Sequence, residues 1–423
     1  MQALIFALGS GGDVYPFIAL GRALQARGHQ VAVATNPHFE ETVRQADLEF
    51  VALGREDEGR ATAQNPDLWK FPHGLRLLFE GLLDATPESY RIIEQRYDPE
   101  TTVVVAHPLV FGARLAHEKL GVPLATAHLQ PVLLRSLNYQ PGFNVPPAWL
   151  PLLRPLRRAL TFAVDRWMFD PILTPRLNSF RGELGLPAIE RPLKDWIHSP
   201  RCVLGLFPEW FAERQPDWPP NVRLVGFPKA GPAASPALSE GAVRYLDEGE
   251  PPIVFTLGTA MMVGRQFFEV SAEVCRLLGR RGVFLTRFPE QLPAPLPPFI
   301  HHFEQEPFEL LLPRAAALAH HGGIGTLASA LRAGIPQFIM PMNFDQPDNA
   351  ARVRKLGVGD SLRPRRYQPR LAAERIGALL SSPDVAAACR RAAARLAEEE
   401  ALVAASEAVE TLGRERRLAA SHI

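Results

Sequence analysis

The stretch Ala319–Gly359, AHHGGIGTLASALRAGIPQFIMPMNFDQPDNAARVRKLGVG, decides how the chain folds. An apolar run, Ala316–His320, reads as a buried strand and ends on two histidines. A glycine-rich turn follows, then a helix over Thr326–Ala333 that stops at Gly334. Gln337–Met340 reads as the next strand and Gln346–Leu356 as the next helix. Strand, helix and strand in alternation predict a parallel sheet, with ligands held beyond the carboxyl ends of its strands. The free N–H groups at the start of the helix favour a diphosphate there. Gly322, Gly323 and Gly325 let the backbone approach it, and Thr326 can cap the helix and donate to a phosphate oxygen. His320 and His321 are candidates for the same anion, since a neutral imidazole donates one hydrogen bond and a protonated one adds charge. Asp345 and Gln346 follow the next strand, at the same sheet edge. A carboxylate beside an amide suits a pattern of sugar hydroxyls, while a plain helix cap is the simpler role for Asp345. The two roles are compatible.

Working outward, the same alternation fills the chain. Ile253–Leu257 and Gly282–Thr286 are further strands of the second half. Thr259 follows the first of these and is a weak candidate for the diphosphate. Phe303, Gln305 and Phe308 are candidates to face a nucleotide base, with core packing of the two aromatics an equal alternative. In the first half, Ala3–Leu8, Val31–Thr35, Phe50–Leu53, Thr102–Ala106 and Leu124–His128 read as strands of an open α/β sheet, joined by Cys202–Phe207 and Val222–Val225. Its first turn, Gly9-Ser10-Gly11-Gly12-Asp13, precedes a helix over Pro16–Arg27. Asp13 is a poor neighbour for a phosphate but well placed as a general base over a cleft. Taken alone, an N-cap is its simpler role. His107 and His128 end two strands and are weak candidates to line an acceptor pocket or orient Asp13.

The expected division is a first α/β domain over residues 1–228, a linker over 229–236, a second α/β domain over 237–400, and a helical tail over 401–423 that packs back on the first domain. The 423 residues are 47% hydrophobic and 22% charged, enough to build two cores. With 46 basic against 45 acidic residues, nothing favours nucleic acid. Three scattered cysteines outline neither a disulfide framework nor a metal site, so no metal is expected and a reducing, cytoplasmic setting is. No apolar run reaches the roughly 18–20 residues of a membrane span, and the start lacks the pattern of a secretory signal. The Leu-, Pro- and Arg-rich segment 130–190 reads as broken helices with solvated arginines; the sharper reading is a surface that meets a lipid headgroup or the inner membrane face.

Taken together, Gly9–Pro16 (GSGGDVYP), His320–Thr326 (HHGGIGT), and Gly334–Pro336 followed by Asp345-Gln346 resemble the glycosyltransferases of family 1, which have the GT-B fold. That resemblance implies two Rossmann-like domains facing each other, acceptor domain first, and an inverting, metal-independent transfer from a nucleotide sugar, with no other cofactor. It implies Asp13 as catalytic base, where many members carry histidine. It also places His321, Gly323, Gly325 and Thr326 on the diphosphate, and Asp345 and Gln346 on the sugar. A closer resemblance, spread over nearly the whole chain, is to the rhamnosyltransferases of rhamnolipid synthesis. It lies in Gly112–Pro123, Phe143–Pro146, Trp196–Pro200, Leu206–Ala212 and Val225–Pro228. It implies L-rhamnose carried by dTDP, a 3-(3-hydroxyalkanoyloxy)alkanoate-like lipid acceptor, and an acyltransferase partner that supplies it. Ser329 stands where many family members have a ribose-binding glutamate, which fits a deoxyribose nucleotide. His320-His321 replaces the His-Pro of the lipid enzymes and leaves the phosphate contact to either histidine. The alternatives are a UDP-glucose-dependent enzyme acting on a sterol, polyketide or flavonoid, and a sugar-nucleotide epimerase of the same fold.

Overall fold

The computed structural model describes residues 1–55, 65–70, 72–138, 150–229, 237–258, 261 and 264–420. Within them lie two parallel sheets. The first has the strands β1 (Gln2–Phe6), β2 (Gln30–Thr35), β3 (Glu49–Ala52), β4 (Thr102–Ala106), β5 (Leu124–His128), β6 (Cys202–Gly205) and β7 (Val222–Leu224), in the order β3-β2-β1-β4-β5-β6-β7. The second has β8 (Ile253–Thr256), β9 (Gly282–Leu285), β10 (Ile300–Phe303), β11 (Ala317–His320), β12 (Gln337–Ile339) and β13 (Gly359–Ser361), in the order β10-β9-β8-β11-β12-β13.

Strand β1 shows why the first sheet is parallel and covered on both faces. After Gln2 its residues are apolar without alternation, and Ala3, Leu4, Ile5 and Phe6 are all fully buried. Successive side chains point to opposite faces, so Ala3 and Ile5 enter one core while Leu4 and Phe6 enter another. The helices that position the site are α1 (Gly11–Ala26) and α2 (His73–Asp84) in the first domain, and α3 (Ile324–Ala333) and α4 (Gln346–Lys355) in the second. The chain ends on α5 (Ala401–Ala420). The first of the two cores continues past the sheet. It takes in Ile324, Leu327 and Leu331 from α3, and Ala405, Ala408, Val409 and Leu412 from α5.

Helix α5 lies against the first domain. Glu410 receives a fork from Arg27 at the end of α1, with N–O distances of 2.8 and 2.9 Å, and it pairs with His29 at 2.9 Å. Arg201, just before β6, reaches Glu415.

Several elements differ from the sequence expectation. Helix α1 starts at Gly11, not Pro16, so Asp13 sits inside its first turn. The sequence reading missed α2, β10 and β13; the two strands are short and only partly buried, which weakens their pattern. The expected linker lies outside the described residues from 230 to 236.

Candidate active site

The glycine turns after β1 and after β11 both end at one cleft of about 2510 Å3. That exceeds the roughly 300–1,000 Å3 of a single small-molecule pocket and leaves room for two substrates. The turns touch: a Cβ on Gly325 would stand 3.4 Å from the Gly12 Cα. Pro16 has no N–H to give the Gly12 carbonyl four residues back, and that carbonyl faces Gly325.

On the first-domain side, Gly9 has φ +121°, and a side chain there would collide with the Asp13 carboxylate. That carboxylate folds back on its own turn. Oδ2 accepts from the Ser10 N–H at 2.9 Å and from the Ser10 hydroxyl at 3.0 Å. Oδ1 accepts from Gln130 Nε2 at 2.9 Å and keeps one lone pair for a ligand. Gly9, Ser10, Gly11, Gly12 and Asp13 all line the cleft. So do His107 and Gln130, and the Gln130 side chain is near enough to His107 to favour its protonated form. His128 does not belong here. It is fully buried, 3.2 Å from His198, and both are held uncharged by burial.

On the second-domain side, the paired histidines part company. His320 points into the core, where Nε2 meets Gln337 Oε1 at 3.0 Å and Nδ1 accepts from the Gly322 N–H at 3.1 Å. With both nitrogens committed it is a structural residue, not a phosphate ligand. Gly322 is structural as well: its N–H goes to His320, its carbonyl accepts from Asn349 at 2.9 Å, and its φ of +98° would strain any side chain. His321 lines the cleft, and its buried Nδ1 has no hydrogen-bond partner. Burial pushes its pKa down to about 4, so at neutral pH it is an uncharged donor. Helix α3 starts at Ile324, earlier than the sequence suggested, with Gly323 as a cap that has no side chain to offer. Thr326 is therefore inside the first turn and does not cap it. The leading N–H groups of α3 are left for a ligand, and Gly323, Gly325 and Thr326 line the cleft.

Asp345 and Gln346 open α4 and face the same cleft. Burial first, and then the negative charge of Asp13, raise the Asp345 pKa to about 7. Its Oδ2 accepts from Asn349 at 2.7 Å, and its side chain does not cap the helix. Gln346 Oε1 is taken by the Met342 and Asn343 N–H groups at 2.8 and 3.3 Å, so the amide offers a ligand its N–H donors. Phe344, just before Asp345, is held at φ +59°, a conformation costly for an aromatic residue and found at functional turns. Ser329 lines the cleft with its hydroxyl on the Gly325 carbonyl at 3.0 Å.

Gln305 and Phe308 lie along the cleft, but Phe303 does not: it packs on His301 with ring centroids 4.6 Å apart. Arg287, which pattern reading missed, lines the cleft and hydrogen bonds to Gln305. Thr259 lies outside the described residues. The first-domain wall carries an apolar part, with Leu75, Phe79, Leu109, Leu133, Phe169 and Leu193, and a charged part that includes Glu80, Asp84, Glu88, Arg91 and Arg135. Among the described residues no group of three His, Cys, Asp or Glu side chains is gathered as a metal site.

Comparison with known proteins agrees with this geometry. Residues 3–137 match the Glycosyltransferase family 28 N-terminal domain, and residues 285–412 match the Erythromycin biosynthesis protein CIII-like C-terminal domain. The chain is 32% identical to O-mycaminosyltylonolide 6-deoxyallosyltransferase of Streptomyces fradiae, over 85% of this chain and 84% of that protein. It is 27% identical to a sterol 3-beta-glucosyltransferase of Arabidopsis thaliana, over 85% of this chain and 58% of the longer plant protein. Among solved structures, the calicheamicin glycosyltransferase CalG4 superposes with a TM-score of 0.72 at 21% identity, covering 97% of this chain and 98% of that one. The spinosyn rhamnosyltransferase SpnG complexed with thymidine diphosphate superposes with a TM-score of 0.66 at 20% identity, covering 97% and 100%. Two parallel α/β domains that share a cleft give the chain the GT-B fold, and the Streptomyces fradiae relative makes it a glycosyltransferase. It belongs to the glycosyltransferase family that includes the Streptomyces fradiae enzyme.

Proposed function

We propose that the enzyme transfers L-rhamnose from dTDP-L-rhamnose to the hydroxyl of an apolar, lipid-like acceptor with inversion at the anomeric carbon. The observation that carries this reading is the meeting of the two turns. A carboxylate with a spare lone pair stands in the first domain, and an uncapped helix start stands opposite it. Asp13 Oδ1 takes the acceptor's hydroxyl proton as that oxygen bonds to the anomeric carbon. The bond from that carbon to the diphosphate breaks, and its electron pair leaves with the nucleotide. His321, Thr326 and the N–H groups of α3 receive the growing negative charge. Asp345 and the Gln346 amide hold the sugar.

The apolar part of the first-domain wall supports a greasy acceptor, and Ser329 fits a nucleotide that lacks a ribose hydroxyl. Leu156, Leu160 and Trp167, exposed at 66%, 51% and 78% beside Arg158 and Arg166, supply a face for an anionic membrane that holds such an acceptor. No helix among the described residues is long and apolar enough to cross a membrane. A second reading comes from the Streptomyces fradiae relative, whose name gives it a macrolide acceptor: a polyketide glycosyltransferase with the same site. Product analysis with dTDP-L-rhamnose and UDP-glucose against hydroxy fatty acid dimers, macrolides and sterols separates the two. Rhamnosylated lipid is the expected product. Preference for UDP-glucose with a sterol or macrolide would overturn the proposal, and isomerised sugar without acceptor would make the enzyme an epimerase.

A further inference from the structure

We propose that Gln130 is a positioning residue for Asp13, with its amide held in one orientation by His107. This rests on Asp13 being the base. The three residues reach each other because β1, β4 and β5 are neighbours in the sheet. Asp13 follows β1, His107 follows β4 and Gln130 follows β5, so three adjacent strand ends set them side by side at the cleft.

The hydrogen bonds have a single consistent direction. His107 Nδ1 accepts from the Leu109 N–H at 3.3 Å, which leaves the imidazole proton on Nε2. The Gln130 side chain is near enough to favour a proton on the ring, and only the amide oxygen can receive an N–H. That leaves the amide nitrogen for Asp13 Oδ1, at 2.9 Å. A reversed amide would set its oxygen against the carboxylate, and two acceptors repel at that distance. Oδ2 is already filled by the two Ser10 donors. The Gln130 N–H thus fixes the plane of the carboxylate and leaves one Oδ1 lone pair aimed at the acceptor hydroxyl.

The two histidines nearest this arrangement are uncharged. Burial holds His107 below its ordinary pKa, against the pull of Asp13 and Gln130, so it stays a neutral donor. His128 lies near it and is likewise uncharged. Across the cleft Asp345 also faces Asp13; burial first, and then the Asp13 charge, hold its pKa up at about 7, so it is only partly ionised at neutral pH.

The test compares Gln130→Ala, Gln130→Glu and Asp13→Asn, assayed across pH with the donor and acceptor pair that product analysis selects, dTDP-L-rhamnose being the first probe. Melting temperature and dTDP affinity are measured alongside. Gln130→Ala is expected to lower kcat about tenfold with donor KM changed less than about twofold. Gln130→Glu sets a second carboxylate against Asp13, so the acid limb of the pH profile should move up by about one unit or more, with activity regained at higher pH. Normal turnover in Asp13→Asn would remove the base assignment itself. If Asp13→Asn is inactive while Gln130→Ala keeps wild-type kcat and Gln130→Glu keeps the wild-type acid limb, the positioning role is overturned. Gln130→Glu that is inactive at every pH, with wild-type melting and dTDP affinity, also counts against it.

Discussion

The two glycine turns that meet in the cleft are built alike, position for position. Gly9 and Gly322 both have positive φ, at +121° and +98°. Ser10 and Gly323 both cap a helix, and Asp13 and Thr326 are both the third residue of that helix. Gly12 and Gly325 occupy the same place and touch each other. The difference is two side chains. In the first turn, Ser10 and Asp13 satisfy one another, so the helix start is filled by its own carboxylate. In the second, Gly323 brings no side chain, and the helix start is left open. On the proposed reading, one local fold would supply a base where it carries an acid, and an anion seat where it carries none.

The largest expected effect breaks the first turn. Asp13→Asn should lower turnover at least about a hundredfold while dTDP binding, followed by calorimetry, stays within about twofold. Next, Thr326→Asp writes the first turn's acid into the second. The new carboxylate should fold onto the open helix start and repel the diphosphate, weakening dTDP at least about tenfold with the melting temperature held or raised. An unchanged dTDP affinity would show that the open turn is not the anion seat. Third, the paired histidines should separate. His320→Ala strands the buried Gln337 amide and should cost roughly 1–3 kcal/mol of stability by denaturant titration. His321→Ala should leave stability near wild type and raise the donor KM.

The smallest effect sits at the far end of α1, where Glu410 grips Arg27 and His29. Hydrogen bonding to Arg27 pulls the Glu410 pKa down to about 2. A carboxylate lowered on folding stabilises the fold above its unfolded value of about 4.3, and loses that contribution as pH falls towards 2. Glu410→Gln should therefore cost about 1 kcal/mol or less at pH 7, and clearly less as pH falls towards 2, read from melting temperatures of the two proteins.

Much of this is legible in the order of residues alone. Both α/β halves follow from buried apolar runs and their glycine stops, and Asp13, His321, Gly323, Gly325, Thr326, Asp345 and Gln346 do meet at one cleft. The misreadings share a cause. His320 and His321 are adjacent in a strand end, so they point opposite ways, and only the fold says which faces water. His128 ends β5 much as His107 follows β4, yet its partner His198 lies far along the chain, while Phe303 packs on His301 of its own strand. Gln130 carries no motif at all: it stands out only once β5 is seen beside β4. Arg287 is a lone cation in a loop, and nothing in its neighbours marks it.

The return of α5 to the first domain also bears on how such enzymes are recombined. A donor half cannot be exchanged at one junction, because the stretch that ends it is followed by a helix belonging to the other lobe. A chimera that swaps sugar specificity here needs two crossovers, one before β8 and one before Ala401, so that Glu410 is inherited together with Arg27 and His29.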